Sequence, residues 1–401
     1  MFWSLLAVAA ADTCPSAAVL SERLAGSGCP TLALQAAESE ARAGGALGCF
    51  EESLAALQLG RAATVERSPP LPPGSDKLLR DAYRMSNAQE SENFVLRWGN
   101  SKSMSSSRAD TILDSFEEAW SRVLVDMDYN LPQGSETYKF NLYIGDSGGP
   151  DAYGSAYYSS DSQGNPIIVI TQGTYDDADF GAVVGAHEFY HALQGASGSR
   201  YEYSESSLGA WYWEATANWV VTEIYPENRA LTVSGFLIGY AFFPHLPISY
   251  FNYADGSDGI LEYHQYGAFI FPYYLTREVA DASLIRASWL ESDESDPLAA
   301  LSVGLAEGWG LDLDEAFFDF AAWNATYSRY DDGDVFSAVV EQYEQYYSSK
   351  SERIVATVVE DSDGWQQAPT QSLPRSYGTN FLLILPGEGD VTISFEGEAS
   401  G

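Results

Sequence analysis

Beyond about residue 76 the apolar positions follow two rhythms. Residues 93–98 read as a strand, residues 138–144 alternate as a strand should, and residues 154–158 and 166–171 predict two more. The last two are joined by the polar run Asp161-Ser162-Gln163-Gly164-Asn165, a turn by composition. Between the first two strands, Ile112, Phe116, Ala119, Trp120 and Val123 recur at helical spacing, which predicts an amphipathic helix over 109–125 capped by the serines before it. Residues 179–194 are mostly small and apolar, the pattern of a buried helix, and residues 209–221 predict a second. Helical segments follow around 267–279, 297–307, 313–324 and 335–347, with Pro272 bending or beginning the first. From about residue 353 the chain turns β-like, with strands over 376–385 and 390–395 of the kind found in sandwiches. The fold class expected is α+β: a twisted mixed sheet with a buried helix over 76–208, a mainly helical lobe over 209–352, and the start of a β-sandwich-like module over 353–401.

The first 75 residues have another character. Residues 1–11 are apolar and end in a small-residue Ala-x-Ala site, which reads as a signal peptide and implies secretion. Residues 12–75 are rich in Ala, Glu and Leu and close on Ser68-Pro69-Pro70-Leu71-Pro72-Pro73-Gly74, so a helical leader or propeptide with a stiff linker is expected. Cys14, Cys29 and Cys49 all fall in this part, leaving room for one disulfide and a spare thiol. No later stretch is long and apolar enough to span a bilayer.

Hydrophobic content of 45% and aromatic content of 14% suit a packed globular protein. A formal charge of −37 makes nucleic acid and anionic membranes poor partners, and a solvated acidic surface is its simplest reading. The runs Asp255-Gly256-Ser257-Asp258-Gly259, Asp331-Asp332-Gly333-Asp334 and Asp361-Ser362-Asp363-Gly364 have some of the oxygen spacing calcium uses. None completes the EF-hand pattern, and solvated turns explain them more simply.

The residues most informative about chemistry are His187-Glu188-Phe189-Tyr190-His191. On a helix the two histidines lie one turn apart on one face, where both imidazoles can reach a single metal ion while Glu188 flanks its open position. A catalytic zinc needs a third protein ligand. A histidine six residues after His191, with glycine at three, would be one route, but Gln194 and Ser197 stand there. Glu214 offers another: it is a lone carboxylate among Trp211, Tyr212, Trp213, Ala215 and Ala217, an expensive place for a charge unless a cation pairs with it. Glu202, Glu205, Glu223 and Glu227 compete, but in polar or turn-like surroundings.

H-E-F-Y-H followed by W-Y-W-E-A-T-A-N-W resembles the gluzincin metallopeptidases, the thermolysin-like clan. More narrowly it is similar to a group of secreted bacterial metalloproteases carrying H-E-[FY]-x-H-x-x-Q, then W-x-x-E-x-[TS]-A, then Y-G-A. The likeness runs from about Ser91 to Tyr330. It implies a zincin-type lobe, one catalytic zinc on His187, His191 and Glu214, Glu188 as general base, and a protein or peptide substrate. It also implies an oxyanion donor from the second lobe, with Tyr266 the first choice and His264 the second. His245 reads as packing or a surface turn. The segment Ala156-Tyr157-Tyr158 is the candidate edge strand for an extended peptide; an ordinary sheet strand explains it equally well. One position departs from the clan: Asn218 stands where an aspartate would orient the first histidine.

Two other readings compete. One is a protease-like fold kept for zinc-dependent binding or adhesion, against which the intact Glu188 speaks. The other is a carbohydrate-active protein, suggested by 10 Trp and 26 Tyr, but no pair of acids stands out as a catalytic dyad.

Overall fold

The computed structural model describes residues 77–252, 260–330, 335–347, 354–358 and 374–384, together with Ser351. Its order begins with strands β1 (Asn87–Glu90) and β2 (Phe94–Trp98), helix α1 (Ser106–Trp120), strands β3 (Phe140–Ile144), β4 (Ala156–Ser160) and β5 (Pro166–Ile170), and helix α2 (Ala178–Ala196). Helices α3 (Ala210–Ile224), α4 (Arg229–Phe242), α5 (His264–Gly267), α6 (Ile270–Tyr274), α7 (Ala282–Leu290), α8 (Pro297–Trp309), α9 (Leu313–Trp323) and α10 (Val335–Tyr347) follow. The parallel pair β6 (Ile354–Val358) and β7 (Phe381–Ile384) comes last. The protein is of mixed α+β class.

The first five strands form one open sheet in the order β1-β2-β3-β5-β4. β2, β3 and β5 run parallel, while the outer strands β1 and β4 run antiparallel to their neighbours. Alternation sorts the side chains between two faces. Phe94, Leu96, Phe140, Leu142, Ile144, Ile168 and Ile170 face the main core shared with the helices. Tyr143, Tyr157, Ile167 and Val169 form a smaller cluster on the other face with Tyr83, Met85 and Tyr153. β4 and β5 close as a hairpin in which Asp161 accepts from the Gln163 and Asn165 N–H groups and pairs with Arg80.

α1 starts at Ser106, ahead of the expected 109, because the Ser105 hydroxyl accepts from Arg108 N–H; it buries Ala109, Ile112, Leu113, Phe116 and Ala119 as one stripe, and a π-turn over Ser121–Asp126 completes the expected span. α2 is capped by Asp177, whose side chain accepts from the N–H groups of Asp179 and Phe180. Phe189, a middle residue of the H-E-x-x-H run, packs 5.5 Å from Phe94 and 5.7 Å from Phe140 and stacks on Trp120. Tyr190, its neighbour, hydrogen-bonds Tyr129 through the two hydroxyls at 2.7 Å. These contacts fix the rotation of α2, and so decide which way its histidines point.

Several elements differ from the pattern-based expectation. The segment expected as one helix over 267–279 is broken into α5, α6 and a π-turn over Leu275–Val279. Pro272, without an N–H, sits inside α6. α4, α7 and β1 carry no clear apolar period: β1 has only Ala88 among polar residues, and α4 is buried over most of its second half. The expected strand at 390–395, the leader, the cysteines and all three acidic runs lie outside the described residues. Among those described, no helix is long and apolar enough to cross a membrane.

α4 and α5 touch backbone to backbone. A Cβ at Gly267 would meet the Phe236 carbonyl oxygen at 2.7 Å, and one at Gly239 would run into the peptide joining Tyr263 and His264. This contact sets the height of α5, and with it Tyr266. Gly239→Ala is therefore expected to destabilise the fold by about 1–3 kcal/mol or more, because the obstruction is backbone rather than a flexible side chain. Denaturant unfolding of the variant beside the wild type measures it.

Candidate metal centre

α2 presents His187 and His191 toward Glu214 on α3. The imidazole Nε2 atoms are 3.1 Å apart, and Glu214 Oε2 lies 3.3 Å from the first and 3.7 Å from the second. One ligand atom from each of the three residues falls within 4.8 Å of the others. All are buried, with His187 7% exposed and the other two fully enclosed. α3 carries this carboxylate in the interior because it is buried almost all round and packs against α2. The competing glutamates are elsewhere: Glu223 pairs with Arg277, and Glu202, Glu205 and Glu227 are exposed.

The hydrogen bonds behind the rings fix the tautomers. Asn218 Oδ1 lies 2.9 Å from His187 Nδ1, while Asn218 Nδ2 donates to the Tyr266 carbonyl at 3.2 Å. Gln194 Oε1 lies 2.6 Å from His191 Nδ1, and Gln194 Nε2 donates to the Trp213 carbonyl and the Thr216 hydroxyl, each at 2.9 Å. Carbonyl oxygens only accept, so both amides must turn their nitrogens to them and their oxygens to the rings. Each neutral imidazole then carries its proton on Nδ1, and both Nε2 lone pairs aim at the same point as the Glu214 carboxylate. Three electron-pair donors converge there, an arrangement that a cation resolves. Two imidazoles and one carboxylate suit a transition-metal ion of the zinc type.

The nearby carboxylates favour positive charge at the same point. Burial works against charge on His187, yet the Glu214 hydrogen bond and the charges of Glu188 and Glu214 prevail and raise its pKa. Burial pushes Glu214 up, but its contacts with His187 and His191 hold it below the usual carboxylate range. Tyr203 adds a donor, its hydroxyl lying 3.3 Å from Glu214 Oε1.

Glu188 is 4% exposed, and its Oε2 accepts from the Tyr158 N–H on β4 at 2.9 Å. β4 is an outer strand of the sheet, so its outward edge meets α2 through this bond. Tyr266 is buried with its ring 6.3 Å from that of His187 and inclined by 29°. His264 lies elsewhere: its ring is enclosed by Tyr240 at 5.5 Å and Tyr250 at 5.4 Å. Burial lowers its pKa to about 3 against the pull of the Tyr250 and Phe243 backbone, so the ring is neutral. His245 is buried, as expected of a packing residue.

Sequence reasoning brought together His187, Glu188, His191, Glu214 and Asn218, and missed three partners. Gln194 carried a signal, since it is a polar residue three positions after His191 in an otherwise small and apolar stretch. The Tyr158 N–H and the Tyr203 hydroxyl carried none, because their roles depend on folding.

Fold and site together define a mixed α+β protein with a buried His-His-Glu cluster able to hold a metal ion. Residues 76–400 match a family of unknown function, DUF6055, and the chain belongs to that family. A search of curated proteins finds no match.

The enclosed His264 gives a pH signature. Its folded-state pKa of about 3 lies below its ordinary 6.5, so between these values the unfolded chain binds a proton that the native chain does not. This residue's contribution to stability is therefore lost as pH falls through that window, on the order of a few kcal/mol by its lower end. Unfolding free energies across that range are expected to fall less steeply for His264→Gln than for the wild type.

Proposed function

We propose that the protein is a zinc-dependent peptidase that hydrolyses peptide bonds of a protein or peptide substrate, with Glu188 as general base. The observation that carries this reading is the convergence of two buried imidazoles and a carboxylate, with a second carboxylate next to His187 on the same helix. A purely structural site has no need of that second carboxylate. Zinc held by His187, His191 and Glu214 would lower the pKa of water in its open position and polarise a carbonyl. Glu188 takes the water's proton and passes it to the leaving amine. The Tyr158 N–H holds its carboxylate beside the sheet edge.

Tyr266, next to His187, is the better candidate for the oxyanion donor; the enclosure of His264 by two tyrosines speaks against it. β4 offers an outer strand along which an extended substrate could lie. In this reading the sheet with α1 and α2 is the zincin-type lobe, and the helices from α3 onward are the second lobe. Residues 1–11, as a signal, would place the enzyme outside the cell.

Metal analysis combined with hydrolysis of a peptide library tests the proposal. The wild type is expected to hold one zinc and to lose activity to a chelator. Glu188→Gln should keep the zinc and lose about 10²–10⁴-fold in rate. Zinc without hydrolysis in either protein would indicate a binding module, and absence of zinc would remove the metal site.

A further inference from the structure

The two groups behind the imidazoles are both neutral amides, and each has a second task. Asn218, on α3, accepts from His187 of α2 and donates to the Tyr266 carbonyl of α5. Gln194, on α2, accepts from His191 and donates to the carbonyl of Trp213, the residue before Glu214 on α3. It also donates to the Thr216 hydroxyl, which accepts from the Trp289 indole of α7 at 3.2 Å and donates to the Tyr212 carbonyl at 2.6 Å. Asn218 and Gln194 are each 2% exposed, so water does not stand in for a lost partner.

We propose that Asn218 and Gln194 are positioning residues whose amide chemistry is required, each setting one imidazole tautomer with its oxygen and tying down a neighbouring segment with its nitrogen. A carboxylate could do only the first. Its second oxygen would face a carbonyl oxygen across the distance that an N–H now bridges, two acceptors without a proton in a dry interior. This accounts for Asn218 at the place where the resembled peptidases carry an aspartate. It also makes the metal centre and Tyr266 parts of one linkage, because the group that orients His187 is the group that holds the α5 backbone. The inference rests on the His-His-Glu site being a metal site, but not on its being a peptidase.

Three measurements on the full-length protein decide it. In the metal-free wild type, at a pH well above the imidazole range, long-range ¹⁵N–¹H correlation spectra should show both His187 and His191 as Nδ1–H tautomers. An Nε2–H tautomer at either residue overturns the assignment. In chelator competition with Zn²⁺ and Co²⁺, Asn218→Ala and Gln194→Ala should each bind about 10–100-fold more weakly than the wild type. Asn218→Asp, which keeps the acceptor, should bind within about threefold of wild type or more tightly, while amide hydrogen exchange across 264–267 accelerates. Wild-type affinity in the alanine variants, or unchanged exchange in Asn218→Asp, overturns the proposal. Failure of the wild type to bind either ion removes the metal site, and the tautomers alone then decide the role of the amides.

Discussion

Two imidazoles and a carboxylate point at one another among buried side chains, and the surrounding structure is arranged to make that tolerable. A buried carboxylate without a compensating charge costs several kcal/mol, of which the Tyr203 hydroxyl at Glu214 Oε1 offsets only part. A cation resolves all three at once. To hold the donors in register, α2 and α3 must pack against each other, as they do. α2 must also be prevented from turning about its axis. Phe189 and Tyr190 do this from the opposite side of the same helical turn, one set among aromatic rings of the sheet and α1 and the other bonded to Tyr129. The five residues of the motif thus divide their work: three serve the centre and two serve the packing that aims it.

Much of this was legible in the sequence, for identifiable reasons. Strands β2 to β5 and α1 were marked by their apolar runs, and α8, α9 and α10 fall where the apolar spacing put them. Glu214 was legible because a lone charge among tryptophans and alanines needs an explanation. α4 and the exact breaks around α5 and α6 were not, since a helix buried on several sides loses its period and a backbone contact such as that at Gly239 leaves only a glycine in the sequence. Tyr266 and His264 stand two residues apart in one short helix, and only packing sends the first toward His187 and the second toward Tyr240 and Tyr250. The bond between Glu188 and Tyr158 joins two elements that the chain's order alone does not bring together.

The family match spans both the sheet and the helices that supply the site, so the cluster is a property of the matched region rather than of an appended segment. The acidic character of the chain bears on the same centre from outside. A charge of −37 concentrates small cations near the surface, which favours capture of a divalent ion by a site carrying carboxylates of its own.

The near-complete enclosure of the cluster has a kinetic side. His191 and Glu214 have no exposed surface and His187 very little, so the three ligands cannot be given up to bulk solvent one at a time. For an ion held there, full release would wait for α2 and α3 to part locally, and the opening rate of that helix pair, rather than the strength of the metal–ligand bonds alone, would set the residence time even while an open coordination position exchanges water. Such a centre would act as a trap: loaded once, it would stay loaded through swings in the surrounding metal concentration much shorter than the interval between openings.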